Sequence, residues 1–235
     1  MAEWSNWSGS LTFEPSSLLH PKSEDDIVDI VNKCRDENKT IRVVGSGHSS
    51  SALVQTKDVI ISLKHFKGIK SIDKEAMTAT LMAGMTVEES NTALEKMGYA
   101  LFNTGDVDVQ YLAGAISTGT HGSGRRLRNL SSMLMRVRIV NSQGDIVEYD
   151  HKEHPEEIKA FRVSLGSLGV ITELTVRILP LFSLQRMDVF ASIEDCFQYF
   201  DEIADRYRNV DFYWYPRRDE VKIRILNDLE KGISK

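Results

Sequence analysis

Ser117-Thr118-Gly119-Thr120-His121-Gly122-Ser123-Gly124 is the stretch of this chain from which the fold can best be argued. Every residue in it is small except the histidine. A backbone that passes very close to a large flat or phosphorylated ligand needs small side chains, and the hydroxyl groups offer donors to phosphate or ring carbonyl oxygens. A flexible loop is the alternative, although such loops usually carry more charge. The stretch, here called the 117–124 loop, therefore predicts contact with a ligand.

A second loop of glycine and serine follows a strand-like run. Residues 40–44 are rich in β-branched side chains, and Gly45-Ser46-Gly47-His48-Ser49, the 45–49 loop, comes directly after them. The N–H groups of such a loop can converge on an anion, so it is a candidate pyrophosphate cradle, with an ordinary Ser/Gly turn as the alternative. It is not a Rossmann fingerprint, because the third glycine is absent, and not a Walker A motif, because no Gly-Lys-Ser/Thr occurs.

The third such segment is Ser164-Leu165-Gly166-Ser167-Leu168-Gly169-Val170-Ile171-Thr172. Its glycines lie three apart and lead into a β-branched run, which fits either close packing or a ligand-facing turn. All three loops lie at strand boundaries and are widely spaced along the chain. This arrangement suggests one extended ligand held from several sides, which a single phosphate would not require.

The composition narrows the class of protein. With 41% hydrophobic and 27% charged residues in 235, a globular fold of one large domain, or of one domain and part of another, is expected. The net charge of -5 and the absence of a Lys/Arg-rich run argue against a nucleic-acid partner. Because no signal-peptide pattern and no long apolar run occurs, we expect a cytoplasmic protein without a membrane span. Cys34 and Cys196 lie in helix-like segments and are expected to be buried free thiols.

Four helices are predicted from hydrophobic periodicity and capping residues. Ser23 with Asp26, and Thr86 with Glu89, have the form of capping boxes, and Pro155 opens a third helix. The predicted helices cover residues 23–38, 86–97, 155–162 and 192–208.

Short strands outnumber the helices, which predicts an α+β fold. The predicted strands are residues 40–44, 59–63, 69–73, 78–83, 133–140, 146–149, 170–179, 185–191, 211–215 and 220–226, with a hairpin turn at 141–145. Residues 1–22 are expected to form an irregular arm that lays aromatic side chains on the body, and residues 105–124 show no regular period. A change of character near Pro180 predicts a domain boundary.

In this order, the three loops resemble the FAD-binding domain of the vanillyl-alcohol oxidase flavoprotein superfamily, in particular its branch of alditol (xylitol) and aldonolactone (gulonolactone) oxidases. The 45–49 loop with Val44 is similar to that branch's pyrophosphate loop, and residues 118–124 are similar to its flavin-ring loop almost letter for letter. Residues 165–172 resemble the strand that contacts the adenosine part. The similarity extends to the Trp7 region and to residues 212–216, which resemble an early strand of the substrate domain.

The resemblance implies a two-subdomain, PCMH-type FAD-binding domain over residues 1–180, followed by the beginning of an α+β substrate (cap) domain over residues 181–235. FAD is the implied cofactor, and no metal is implied. The positions that match the family's cofactor contacts are Val44, Gly45, Ser46, Gly47, His48, Ser49, Asp106, Tyr111, Gly114, Thr118, Gly119, Thr120, His121, Val170 and Ile171.

Three of these positions carry specific expectations. In the family, the histidine after the Gly-Ser-Gly turn is joined to the flavin 8α-methyl carbon, which implies covalent attachment through His48; a histidine that only hydrogen-bonds the loop is the alternative. His121 is expected to be a structural or flavin-contacting imidazole in preference to a general base. Asp106 departs from the family, because the alditol oxidases carry a serine at that position.

The implied activity is that of an FAD-dependent oxidoreductase that oxidises a sugar alcohol or aldonolactone and passes the electrons to oxygen, giving hydrogen peroxide. Alternatives are an FAD-binding module without activity of its own and a flavoprotein similar to UDP-N-acetylenolpyruvoylglucosamine reductase. Members of the branch bind substrate largely through their second half, so no catalytic residue is predicted here. We therefore expect a fragment, or a short gene product that keeps only the flavin module, which needs a missing C-terminal domain or a partner chain and lacks turnover of its own.

Overall fold

The computed structural model of the chain describes residues 3–229, which form five α-helices and fifteen β-strands. The helices are α1 (Glu24–Asp36), α2 (Val87–Glu95), α3 (Leu112–Ser117), α4 (Pro155–Arg162) and α5 (Ile193–Arg206). The strands are β1 (Trp4–Ser5), β2 (Thr12–Phe13), β3 (Ser17–Leu19), β4 (Ile41–Val44), β5 (Val59–Ser62), β6 (Ile69–Asp73), β7 (Thr78–Met82), β8 (Tyr99–Ala100), β9 (Leu134–Val140), β10 (Ile146–Asp150), β11 (Val170–Arg177), β12 (Leu179–Pro180), β13 (Leu184–Ala191), β14 (Asn209–Tyr215) and β15 (Glu220–Asp228). The predicted α+β class is confirmed. None of the helices within residues 3–229 is long and apolar enough to cross a lipid bilayer.

A parallel sheet in the order β3-β5-β4 carries the 45–49 loop at one end. Its central strand β5 is buried along its whole length, as expected for a parallel strand covered on both faces. The prediction that residues 1–22 are irregular was wrong for Trp4–Ser5 and Thr12–Phe13, which pair as β1 and β2, and for Ser17–Leu19, which pairs with β5 as strand β3. A three-residue strand leaves no detectable period, because its stability comes from a partner distant in the sequence.

The largest sheet has five antiparallel strands in the order β10-β9-β11-β7-β6. β9 and β10 are joined by the predicted hairpin at residues 141–145, which is confirmed by their antiparallel register. Leu81, Val137 and Leu174 of this sheet have no exposed surface and form the main core together with Ile27 of α1. This core fixes the position of α3, whose Leu112 and Ile116 are also buried in it.

The starts of the four predicted helices are confirmed. The Ser23 and Thr86 hydroxyls each accept a hydrogen bond from the main-chain N–H three residues later, and the acidic side chain at that position accepts one from the cap residue's N–H. Pro155 occupies the first turn of α4.

Residues 105–124 show no regular period in the sequence, yet Leu112–Ser117 forms α3, which was not predicted. Six residues are too few to show a helical period, and a helix this short is stabilised by the core and not by its own propensity. Ala115 and Ile116 are buried against that core. β8 was also missed, and it pairs with β12.

The C-terminal part of the described chain has its own sheet, in the order β13-β15-β14, covered on one face by α5. Its small core contains Val221, Ile223 and Ile225 from β15 and Cys196 from α5. The boundary predicted near Pro180 lies just before this sheet and stays a prediction. Cys34 and Cys196 are both free and buried, as expected.

Candidate cofactor site

A cavity of about 240 Å³ lies where β4 ends. Strand β4 ends at the rim of this cavity, the 45–49 loop forms one wall, and the start of α3 forms another. The lining comes from residues far apart in sequence, which the two sheets bring together. They are Trp4, Val43, Val44, Gly45, Ser46, Gly47, His48, Ser49, Leu53, Val54, Leu63, Ala83, Gln110, Tyr111, Ala113, Gly114, Ala115, Ser117, Thr118, Leu165, Gly166, Gly169 and Ile171.

Glycine is required at positions 45 and 47 of the 45–49 loop for two different physical reasons. A Cβ on Gly45 would lie 3.1 Å from Cβ of Tyr111, so the loop can approach the start of α3 closely only without a side chain. Gly47 has a φ of +69°, which other residues rarely adopt, and its Cα faces the Trp4 ring. The loop shape is therefore set by these glycines, and it leaves the His48 ring on the cavity wall.

The opposite wall is formed by the first turns of α3. Tyr111 precedes the helix, and the hydroxyl of Thr118 at its end donates to the main-chain oxygen of Gly114 at 2.9 Å. Apart from its chain neighbours and the backbone of its own helix, a Cβ on Gly114 would meet no atom of the described residues within 4 Å. The same is true of Gly166. Both glycines border open space in the cavity. Gly166 has a φ of +69°, which by itself favours glycine, whereas neither backbone conformation nor packing outside its own helix accounts for Gly114.

The 117–124 loop runs from this cavity to a second one of about 490 Å³. Ser117 and Thr118 line the first cavity, and His121, Gly122 and Ser123 line the second. The other lining residues of the second cavity come from the segment after β8 and from the C-terminal sheet. They are Leu101, Phe102, Asn103, Thr104, Asp106, Phe182, Leu184, Arg208, Asn209, Asp211, Phe212, Tyr213, Arg224 and Leu226.

The second cavity has a charged network on one side. Arg224 of β15 donates to Asp106 at 2.8 Å and to Asp211 of β14 at 2.7 Å, and the Tyr213 hydroxyl donates to Asp106 at 2.7 Å. The hydrogen bonds from Arg224 and Tyr213 lower the pKa of Asp106, and the bond to Asp106 raises the pKa of Tyr213. The network therefore holds Asp106 ionised and joins its loop to the C-terminal sheet.

Twelve of the fifteen site residues predicted from the sequence line one of the two cavities. Ten of the fifteen line the first cavity: Val44, Gly45, Ser46, Gly47, His48, Ser49, Tyr111, Gly114, Thr118 and Ile171. Asp106 and His121 line the second. Gly119 and Thr120 lie in the turn between them, where the Thr120 hydroxyl donates to Gln110 at 3.2 Å, and Val170 packs into the main core.

Several lining residues were not predicted. Trp4 and Gln110 carry no local motif, and only the fold brings them to the cavity. Gly166 and Gly169 belong to a segment that the sequence did single out, so their spacing was a usable signal. Arg224 could not have been found, because alternating charged residues are ordinary on a strand with one exposed face.

The α+β fold and the glycine-built cavity at the end of β4 define a domain of the cofactor-binding flavoprotein class. The chain belongs to the FAD binding domain family, whose model matches residues 15–150. The predicted resemblance to the vanillyl-alcohol oxidase superfamily and its aldonolactone oxidase branch is confirmed by the relatives and the fold neighbours.

Two curated relatives are similar over most of this chain. An L-gulono-1,4-lactone dehydrogenase of Mycobacterium tuberculosis is 32% identical over 224 residues, which is 95% of this chain and 52% of the relative. A D-arabinono-1,4-lactone oxidase of Eremothecium gossypii is 34% identical over 215 residues, which is 90% of this chain and 40% of the relative. The chain thus spans about half the length of the curated relatives it matches.

Solved structures share the fold at lower sequence identity. Cholesterol oxidase from B. sterolicum aligns with a TM-score of 0.83 at 20% identity, covering 96% of this chain and 47% of that one. The Physcomitrella patens protein BBE-like 1 aligns with a TM-score of 0.81 at 20% identity, covering 93% and 50%. At this identity the likeness concerns the fold alone.

The residues of the first cavity fit FAD. Its lining, over the described part of the chain, contains no carboxylate that would repel a diphosphate, and it offers loop N–H groups and hydroxyls as donors. Its lining also includes apolar and aromatic side chains that suit aromatic rings, and the open space beside Gly114 is where a ligand can approach the backbone. Within residues 3–229, no group of three or more His, Cys, Asp or Glu could hold a metal ion.

Proposed function

We propose that this chain is the flavin-binding part of an FAD-dependent oxidoreductase that oxidises an aldonolactone or a sugar alcohol, with oxygen as the electron acceptor. The observation that carries the proposal is His48 on the wall of a cavity lined by glycine loops, in a member of the FAD binding domain family. The names of the lactone-oxidising relatives support the substrate class. The product on the acceptor side is hydrogen peroxide.

Each loop has a part in holding the cofactor. The N–H groups of the 45–49 loop would bind the pyrophosphate, and small residues of α3 and the 117–124 loop would let the ring system lie against the backbone. FAD would supply the acceptor for a hydride taken from a substrate carbon. Asp106 and Arg224, fixed by their mutual ion pair, would present a charged wall to a polar substrate in the second cavity.

His48 would form a covalent bond to the flavin. An imidazole N–H bond and one C–H bond of the flavin 8α-methyl group are replaced by a C–N bond. The two protons and two electrons released leave with dioxygen as hydrogen peroxide, so that atoms and electrons balance. Such a bond anchors the cofactor and raises its redox potential, which favours alcohol oxidation.

The bond is tested with His48→Ala, and with His151→Ala as a matched histidine change outside both cavities. We expect denatured wild-type protein and His151→Ala to carry the mass of an FAD adduct, and His48→Ala to lack it while still binding FAD reversibly. An adduct that persists in His48→Ala would disprove the attachment. Wild-type protein that takes up no FAD under any condition would disprove the cofactor site itself.

A second candidate function is an FAD-binding module without turnover of its own. The chain spans about half the length of the curated relatives it matches, so turnover by residues 1–235 is tested separately from flavin binding. Peroxide release from gulonolactone, arabinonolactone or xylitol by a chain of residues 1–235 separates the two. Robust release supports an oxidase whose substrate site is complete here, and flavin binding without release supports the module.

A further inference from the structure

The first residues of the described chain lie on the 45–49 loop. Trp4 packs on Phe13 at 5.1 Å between ring centres, and these two side chains join Val44 and Ile60 in a small core. A Cβ on Gly47 would lie 3.2 Å from the Trp4 ring, so the arm and the loop are in close contact. Residues 4–13, the part of the predicted arm that is called the arm from here on, therefore pack against the loop that carries His48.

Asn6 is the anchor of this arm. Only 4% of its surface is exposed, and its amide donates to the main-chain oxygen of Ser49 at 3.1 Å and accepts from the Leu11 N–H at 3.1 Å. The next residue, Trp7, donates its main-chain N–H to the Gly47 oxygen at 3.1 Å. Arm and loop are thus joined on both sides of His48.

The side chain of Trp7 stacks on the ring of His48. Its indole lies 4.9 Å from the His48 imidazole, with 17° between the planes. Trp7 is 65% exposed, so burial of apolar surface does not account for its place. Stacking uses the faces of the imidazole and leaves its edge free, where one nitrogen carries an in-plane lone pair and the other carries the N–H.

We propose that Trp7 is a positioning residue for covalent flavin attachment. By stacking on His48 it fixes the plane of the imidazole and so aims a ring nitrogen at the flavin 8α-methyl carbon. This inference rests on the proposed attachment through His48. Trp7 does not take part in the bond change itself, which is the exchange of an N–H and a C–H bond for a C–N bond with release of hydrogen peroxide.

The test compares the rate of adduct formation with reversible FAD affinity. Flavin-free protein is mixed with FAD in air, the adduct is followed by mass, and reversible affinity is measured by quenching of flavin fluorescence at early times. We expect Trp7→Leu to slow adduct formation about threefold to tenfold, the range that one aromatic pair is worth. Affinity for FAD and the thermal unfolding midpoint should stay close to wild type, because the indole is exposed.

Two further variants make the result specific. Trp7→Phe should restore most of the rate, because it keeps a flat ring over the imidazole. Trp214→Leu removes another half-exposed indole, one that lines neither cavity, and should leave the rate unchanged. Equal rates in wild type and Trp7→Leu would overturn the inference while leaving attachment through His48 intact. A wild-type protein that forms no adduct would instead overturn the attachment on which the inference rests.

Discussion

At the scale of single residues, two glycines of the site differ in why they carry no side chain. A Cβ on Gly122 would lie 2.6 Å from Oδ1 of Asn103 and would overlap the main-chain oxygen of Thr104, so the protein's own packing excludes it. A Cβ on Gly114 would meet no atom of the described residues within 4 Å beyond its chain neighbours and the backbone of its own helix. The sequence shows both only as glycines, and the structure shows which one leaves room for something other than protein.

This contrast predicts different results for the same substitution. Gly114→Ala should keep or slightly raise the unfolding free energy, because alanine favours the helix by about 1 kcal/mol, yet it should weaken FAD binding by filling ligand space. Gly122→Ala should lower the unfolding free energy by about 1–3 kcal/mol. Thermal unfolding and FAD titration of the two variants check this. Unchanged FAD affinity in Gly114→Ala would show that the cofactor does not approach that wall.

At the scale of elements, the N-terminal ends of the helices were the most predictable features. A capping box is a local event, in which a hydroxyl and an acidic side chain three residues apart satisfy free N–H groups of the first turn. Thr86 with Glu89 does this at α2, with bonds of 3.0 and 2.8 Å. α3 could not be predicted in the same way, because it has no side-chain cap and depends on Leu112 and Ile116 in the core.

The cap of α2 gives a prediction at this scale. Thr86→Ala should lower the unfolding free energy by about 1 kcal/mol, because one N–H of the first turn loses its acceptor. Chemical denaturation measures the change. Ser142→Ala, in the exposed hairpin turn, removes a hydroxyl that bonds only a neighbouring side chain, and its effect should stay within about 0.5 kcal/mol. Similar losses in both variants would show that the cap contributes nothing specific.

At the scale of the whole molecule, one ion pair joins α1 to the five-stranded sheet. Arg138 of β9 donates to both carboxylate oxygens of Glu24, with its Nε at 2.8 Å and its Nη2 at 2.9 Å, and the Thr172 hydroxyl of β11 donates at 2.5 Å. Burial pushes the pKa of Glu24 upward, but the hydrogen bonds from Arg138 and Thr172 outweigh it and lower the pKa. The pair therefore stabilises the fold through the charged form of Glu24.

The sign of the pH dependence follows from this lowered pKa. The stabilisation by Glu24 is complete above the ordinary pKa of a glutamate, about 4.3, and is lost as the pH falls through the lower folded value. Glu24→Gln should lower the unfolding free energy by about 1.5–3 kcal/mol near neutral pH, with a shallower further loss in acid. Denaturation at a series of pH values checks this. Glu156→Gln, which breaks an exposed pair with Lys159, should change little.

The sequence predicted which loops form the site, but not which other elements these loops contact in the folded chain. The 45–49 and 117–124 loops were recognised from their small residues, because close approach of a backbone to a ligand constrains composition locally. That the second loop continues into another cavity, facing Tyr213 and Arg224 of the C-terminal sheet, depends on contacts between residues about a hundred positions apart. Such contacts come from sheet packing, and no local pattern records them.

Because the arm lies beside His48, the fluorescence of its tryptophans can report the binding of the cofactor. Of its three tryptophans, Trp4 and Trp7 lie against the 45–49 loop, while Trp214 lies in β14. Flavins absorb light in the range where tryptophan emits, so a cofactor bound in the first cavity would quench the two arm indoles. With Trp214 replaced by phenylalanine, tryptophan emission would follow cofactor loading in real time, without a label and before any covalent bond has formed.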